Sequence, residues 1–359
     1  MRTFRVELGP QSHPVHVGAG ILDQLGALAR DAGVGPTRIA IITDSCVGKL
    51  YATRAIASLH SAGFVAQLIE VPAGETSKSI ETLSTVYDRM AAAEIERGGA
   101  VFALGGGVVG DLAGFVAASW LRGIALVQIP TTLTAQVDSA LGGKTGINLS
   151  SAKNLVGAFY QPRAIVADIE TLKTLPDREF REGLAEVIKY AAILDAPMIS
   201  DLERDLPRIL ARDPAALELM VERSLRHKSQ VVAADPHEGG LRKILNFGHT
   251  VGHALEATSG YGKYLHGEAV AIGMIVATRL SEKHAGLNTE EGSRLCTLIE
   301  RAGLPTRLPD SHLGANLAAA LRLDKKRAGS HIEFILIDRL GHALTHKIEI
   351  EALVSEIGW

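Results

Sequence analysis

Apolar positions in the first half of the chain follow two alternating periods. "FRVEL" and "PVHVG" read as short strands around a turn, and "RIAIITD" (38–44) is an unbroken apolar run typical of a parallel strand buried on both faces. A helical stretch then runs to about His60, and the strand "FVAQLIEV" follows. "SKSIETLSTVYDRMAAAEI" has helical spacing and opens on Ser77, a side chain suited to capping a first turn. "AVFAL" and "ALVQIP" are further buried strands. Strand, helix, strand, helix in this order predicts a doubly wound, mostly parallel α/β sheet of the Rossmann type.

Beyond about Pro176 the texture changes. Helical periodicity predicts helices over 178–194, 198–210, 214–233, 249–258, 267–285, 289–302 and 313–322, with one late strand pair, "HIEFILID" and "HKIEI". Two domains are therefore expected, an α/β domain over 1–176 and a mainly α-helical one over 177–359.

Composition narrows the partners. The 359 residues are 47% hydrophobic and 21% charged, an ordinary globular balance. A net charge of −3 and only 4% aromatic residues argue against nucleic acid, which needs basic surface and stacking platforms. The most apolar stretch, "AVFALGGGVVGDLAGFVAASW", approaches membrane-span length, but Asp111 and its glycines divide it into strand, loop and helix. No membrane partner is expected. "MRTFRVELGP" has no apolar core of a secretion signal, so a cytoplasmic protein is expected. Cys46 and Cys296 form no CxxC pair and are expected to be buried, reduced thiols.

Several segments carry candidate chemistry. In "LGGGVVGD", Gly105, Gly107 and Gly110 satisfy GxGxxG between a strand and a helix, where backbone N–H groups can meet a pyrophosphate. The loop follows a late strand rather than the first one, and a tight strand-to-helix turn without ligand would use the same glycines. "PAGETSKS" offers Glu75 to hydroxyls and Lys78 to a phosphate, or is a solvated loop. "PTT" (130–132) ends another strand, at the sheet edge where α/β folds bind ligands. "VDSALGGKTGINLSSAKNLVGAFYQP" (137–162) is long and polar and holds Asp138, Lys144, Lys153 and Asn154, the groups a phosphate pocket needs. A surface loop with scattered charge remains the plain alternative.

The helical segment adds a second group. Glu186 and Lys189 project from one face of a helix, with Glu182 one turn earlier; a surface ion pair is the usual reading, but the mostly apolar helix points to burial, where a carboxylate needs a cation or metal beside it. "LNFGHTVGHALE" places His249, His253 and Glu256 on one helical face, and His266 enters a strongly apolar helix in "LHGEAVAIGM". Core histidines and metal ligands both fit that pattern, and a catalytic metal needs about three protein ligands. "HGE" lacks the PCxxC that a zinc deaminase requires. Lys325, Lys326 and Arg327 form a basic run before a strand, either a solvated face or one wall of an anion site.

Taken in order, "GETSKS", "GGGVVGDLAGFVA", "RGIALVQIPTTLTAQVDSALGGKTGINLSSAKNLVGAFYQP", "GLAEVIKY", "GLRKILNFGHTVGHALE", "HGEAVAIGM" and "DKK" resemble the 3-dehydroquinate synthase family. The resemblance implies an NAD-dependent, zinc- or cobalt-dependent carbon–oxygen lyase. Its substrate would be 3-deoxy-D-arabino-heptulosonate 7-phosphate, and its products 3-dehydroquinate and phosphate, a step of the shikimate route to chorismate and aromatic amino acids. It implies Glu186, His249 and His266 as metal ligands. NAD would meet Asp44, Glu75, Lys78, Gly106, Gly107, Val108, Val109, Gly110, Asp111, Thr131, Thr132, Lys144, Lys153, Thr171 and Thr174. Substrate would meet Arg122, Asp138, Lys144, Asn154, Lys189, Lys228, Glu238, Arg242, Asn246, His253 and Lys326. The residue matching Arg122 reaches the neighbouring subunit's site in the family, so a homodimer is implied. Trp120 departs from the family's usual tyrosine before Leu-Arg-Gly. A metal- and NAD-dependent polyol dehydrogenase, a related sugar-phosphate cyclase and a non-catalytic nucleotide-binding module are the competing readings.

Overall fold

The computed structural model describes residues 1–149, 153–259, 263–307 and 331–357. The expected helix at 313–322 and the basic run Lys325, Lys326 and Arg327 lie outside the described residues. By internal packing the chain divides into one unit of Met1–Leu175 with Arg212–His237 and a second of Pro176–Ala211 with Glu238–Trp359.

The first unit is built on a seven-stranded sheet in the order β1-β2-β9-β6-β5-β3-β4. Its strands are β1 (Arg2–Val6), β2 (His13–Gly18), β3 (Arg38–Asp44), β4 (Val65–Val71), β5 (Ala100–Gly105), β6 (Ala125–Pro130) and β9 (Ala164–Asp168). Only β1–β2 is antiparallel; the other neighbours run parallel, as in Ile41↔Phe102 and Phe102↔Val127. The unbroken apolar runs have a direct cause. Ile39, Ile41, Phe102 and Leu104 pack with α1 (Leu25–Asp31) and α2 (Thr53–Ser61) on one face, while Ala40, Ile42, Val101 and Ala103 pack with α3 (Ile80–Ala92) and α4 (Gly107–Ser119) on the other. Each fully buried Ile or Phe of this kind contributes about 1.5–3 kcal/mol of burial free energy. A small hairpin, β7 (Lys144–Ile147) with β8 (Val156–Phe159), lies within the segment read as a long loop.

The second unit holds α5 (Asp177–Leu194), α6 (Ala196–Leu210), α8 (His249–Ser259), α9 (His266–His284) and α10 (Thr289–Arg301). The hairpin β10 (His331–Arg339) with β11 (His342–Glu349) and the helix α11 (Ile350–Ile357) complete its described part. α9 is buried from Ala269 through Thr278 because α5, α8, α10 and β10 all pack against it. Two glycines permit the closest crossings: a Cβ at Gly267 would sit on the Glu182 carbonyl of α5, and one at Gly273 on the Gly248 carbonyl that precedes α8.

Three expectations change. α7 (Pro214–Ala234), expected in the helical domain over 177–359, packs with the sheet unit, because Lys228 on it forms an ion pair with Asp138 at 2.6 Å and Arg2 of β1 reaches Glu222 at 3.0 Å. The cap of α3 is Ser79, not Ser77; the Ser79 hydroxyl accepts the Thr82 N–H at 3.2 Å. The two thiols are free, but Cys46 is exposed and Cys296 half-buried, since Cys46 lies in the turn that follows β3 rather than in the sheet. Among the described residues no helix is long and apolar enough to cross a membrane.

Candidate metal centre and nucleotide-binding loops

In the sheet unit, the expected cofactor residues gather at the C-terminal ends of β3, β5 and β6. Asp44 ends β3, and its carboxylate accepts the N–H groups of Cys46 and Val47 at 2.8 and 3.0 Å, closing the turn. Gly105 ends β5, Gly106 caps α4 without a side chain, and Gly107, Val108 and Val109 begin the helix, so their N–H groups precede the first helical hydrogen bond, Gly110 to Gly106. The glycines are forced by packing. A Cβ at Gly105 would strike Val109, one at Gly106 would lie 2.8 Å from Thr132, and one at Gly110 would lie 3.0 Å from Gln128. Thr131 and Thr132 lie beyond β6, with the Thr131 N–H on Gly105 at 3.0 Å and the Thr132 hydroxyl accepting Ala135 N–H at 3.2 Å.

Lys78 ties this edge together. It is 4% exposed, and its ammonium donates to Asp111 at 2.7 Å and to the Asn154 amide oxygen at 2.5 Å. Burial pushes the Asp111 carboxyl above its usual range, and the adjacent Lys78 charge offsets part of that. Asn148, which has no spacing signal in the sequence, joins the group by donating to Glu75 at 2.8 Å and accepting the Asn154 N–H at 2.9 Å. Asn154 itself holds a left-handed backbone, φ 57°. Lys228 donates to both the carboxylate and the carbonyl of Asp138, at 2.6 and 2.8 Å. Lys144 is exposed at the start of β7, and Lys153 is half-buried. Thr171 and Thr174 are committed locally: the Thr171 hydroxyl receives Gln136 at 3.0 Å, and Thr174 shares a 2.5 Å hydrogen bond with Tyr51. Arg122 is exposed in a turn where Leu121 and Arg122 are both left-handed, φ 49° and 68°. The unusual Trp120 stacks on Tyr87 and donates its indole N–H to the Ile95 carbonyl at 3.0 Å.

In the helical unit, α5 supplies Glu186 and Lys189, α8 begins with His249 and α9 begins with His266. One ligand atom from each of Glu186, His249 and His266 lies within 4.8 Å of the others. His249 Nε2 and His266 Nε2 stand 3.6 and 3.5 Å from the same Glu186 oxygen, and Lys189 pairs with the other. Burial drives the His249 imidazole well below its ordinary pKa, and Lys189 adds to that. Burial opposes charge on His266 too, but its hydrogen bonds to the Glu186 and Glu256 carboxylates outweigh that and hold it at about 10. One carboxylate and two imidazoles suit a borderline cation such as Zn²⁺ or Co²⁺, and three protein donors are what an open catalytic site needs. His253 is exposed one turn beyond His249, with ring centroids 5.3 Å apart. Arg242 is 2% exposed in the turn Leu241–Asn246, whose last residue is Asn246, and Glu238 precedes it in a left-handed conformation, φ 60°. Lys326 lies outside the described residues. Glu182 holds the start of α9 by accepting the Gly267 N–H at 2.8 Å; its position one turn before Glu186 was the available signal.

A parallel-sheet unit with a glycine turn and a helical unit, as here, recur in solved structures of sugar phosphate cyclases. A 2-deoxy-scyllo-inosose synthase structure, complexed with carbaglucose-6-phosphate, NAD⁺ and Co²⁺, superposes with TM-score 0.90 at 27% identity, covering 99% of each chain. The 2-epi-5-epi-valiolone synthase ValA from Streptomyces hygroscopicus subsp. jinggangensis, with NAD⁺ and Zn²⁺ bound, gives TM-score 0.85 at 28% identity, covering 98% of this chain and 97% of that one. The models for the 3-dehydroquinate synthase N-terminal and C-terminal regions match residues 68–182 and 183–327. A 3-dehydroquinate synthase of Symbiobacterium thermophilum is 51% identical over 342 residues, 94% of this chain and 95% of that protein. The chain belongs to the 3-dehydroquinate synthase family.

Proposed function

We propose that this chain is a lyase that converts 3-deoxy-D-arabino-heptulosonate 7-phosphate into 3-dehydroquinate and phosphate, with NAD and one divalent metal, Zn²⁺ or Co²⁺, as cofactors. The observation that carries this reading is the Glu186–His249–His266 cluster in a chain 51% identical to a 3-dehydroquinate synthase along nearly its whole length. When bound, the metal supplies Lewis acidity at the C5 oxygen and NAD a hydride acceptor that is regenerated within the cycle.

The chain's own residues do the rest. Glu186, His249 and His266 would hold the metal. Lys189, beside Glu186, offers an ammonium to negative charge developing on the C5 oxygen. Lys144, Asn154, His253 and Arg122 neutralise the substrate phosphate. The departing phosphate takes the C6 proton, so no strong protein base is required, and His253 handles protons at the exposed end of the cluster. Arg242 grips the substrate carboxylate with its planar fork. Asp138 and Lys228 act as a pair, with Glu238, Asn246 and Lys326 completing the substrate contacts. The glycine turn Gly106–Asp111 would hold NAD, with Lys78, Glu75, Asp44, Thr131, Thr132, Lys153, Thr171 and Thr174 contributing.

The chain works as a homodimer in which Arg122 serves the partner's site; the exposed double left-handed turn at Leu121 and Arg122 supports this, because such backbone strain is kept where a side chain must be aimed. A reducing cytoplasm suits the free thiols Cys46 and Cys296. Purified protein supplied with the heptulosonate phosphate, catalytic NAD and Zn²⁺ or Co²⁺ is expected to release phosphate and dehydroquinate in equal amounts. Stoichiometric NADH without phosphate release would instead make it a polyol dehydrogenase.

A further inference from the structure

The two imidazoles of the cluster are held in different ways. His249 Nδ1 lies 3.3 Å from the Phe247 carbonyl, a neutral acceptor two residues before it. His266 Nδ1 lies 3.3 Å from Glu256 Oε2, a charged acceptor on another helix. Glu256 stands seven residues after His249 on α8, two turns along the same face, so one helix carries both a ligand and the carboxylate that holds the opposite ligand. His266 needs such a hold. Its side chain is 35% exposed, whereas that of His249 is 12% exposed, so packing alone fixes its ring less well.

We propose that Glu256 is a positioning residue: it accepts the His266 Nδ1–H and so leaves the Nε2 lone pair aimed at the metal, with raised basicity. The inference rests on the reading of Glu186, His249 and His266 as the metal-holding set. An imidazole that donates from one nitrogen to a carboxylate presents the other as a stronger and better oriented ligand, and loss of such a partner typically costs about 10–100-fold in metal affinity.

The test titrates metal-free, full-length protein with Co²⁺ and with Zn²⁺ against a competing chelator, reading affinity, stoichiometry and the Co²⁺ absorption spectrum. Wild type, His266→Ala, Glu256→Ala and Glu256→Gln are compared. We expect one equivalent of metal in wild type, a loss of about 10–100-fold in Glu256→Ala and a smaller loss in Glu256→Gln, whose amide oxygen still accepts. The unfolding temperature of the metal-free variants should stay near that of wild type, which separates positioning from a general packing role. Wild-type affinity in Glu256→Ala, with affinity lost in His266→Ala, would overturn the role of Glu256 and leave the ligand set standing. Wild-type affinity in His266→Ala would overturn the ligand set itself. Two equivalents in wild type and one in Glu256→Ala would make Glu256 a direct ligand of a second ion, with His253 and His266, and would also overturn the proposal. Should Glu256→Ala not fold, Glu256→Gln decides alone: a weakened site supports the role, an unchanged one overturns it.

Discussion

Lys189 and Glu186 form an ion pair one helical turn apart on α5, with side chains only 2% and 0% exposed. Removing the ammonium leaves a buried carboxylate with less compensation, a change that typically costs about 3–5 kcal/mol. Lys189→Met is therefore expected to destabilise the metal-free protein markedly and the metal-loaded protein less, because the cation takes over the compensation. Denaturant unfolding with and without Zn²⁺ measures the difference. Turnover should fall by an amount equivalent to about 3–4 kcal/mol in the barrier, and near-normal turnover would remove Lys189 from the chemistry.

The two cluster histidines set opposite pH limits on the metal-free protein. His266, held at about 10 in the fold against an ordinary 6.5, contributes stability that is complete below 6.5 and is lost as pH rises toward 10. His249, held well below 6.5, contributes stability that is present above 6.5 and is lost as pH falls below it. The pair's contribution is thus greatest near the ordinary histidine value. Metal bound by the proposed set would also displace a proton from His266, so metal affinity should rise by about tenfold per pH unit across the neutral range. A pH-independent affinity would contradict the protonated state assigned to His266.

Gly273 lies where α9 meets the Gly248 carbonyl ahead of α8. Gly273→Ala is expected to push the two segments apart and separate His249 from His266. Overpacking of this kind typically costs about 1–3 kcal/mol, and metal affinity should fall with stability. A variant with normal metal affinity would show that α8 and α9 adjust without moving their first residues.

Lys78 joins Asp111 and Asn154 at the glycine turn. Lys78→Met should weaken NAD binding by tenfold or more while leaving metal affinity unchanged, as read by calorimetric titration of each. Loss of both affinities together would point to unfolding rather than to a local role.

Arg242 is buried beside the segment that leads into His249. The contact proposed for it with the substrate carboxylate would exist both before and during the reaction, so Arg242→Lys should raise KM more than it lowers kcat. Equal changes in both would contradict that uniform contact.

Some elements were legible because one force fixed them. β3 spans Arg38–Asp44, the expected residues, because from Ile39 to Ile42 its successive side chains enter two different cores. β9 was hidden: Ala164–Asp168 is fully buried, yet it follows a polar segment long enough to mask its four apolar residues. The β7–β8 hairpin was hidden by composition, because Gly146 and Gly157 sit across from each other where a side chain would not fit. Periodicity showed that 214–233 is helical but not where it packs, which long-range pairs such as Lys228–Asp138 decide. The cluster divides in the same way. Spacing placed His249, His253 and Glu256 on one face, but only tertiary structure brings Glu186 of α5 and His266 of α9 to them; before that, the family resemblance alone supplied the set.

The return of α7 to the sheet unit has a practical consequence for anyone dissecting the protein. The polypeptide passes from one unit to the other near positions 175, 211 and 237, so neither unit is a contiguous stretch of gene. A fragment ending at Leu175 would lose the lysine that neutralises Asp138 and the helix on which Leu217, Val221 and Leu225 are buried. Truncation at the most obvious proline would therefore yield a sticky, incomplete half, and because the units alternate along the chain no single cut separates them.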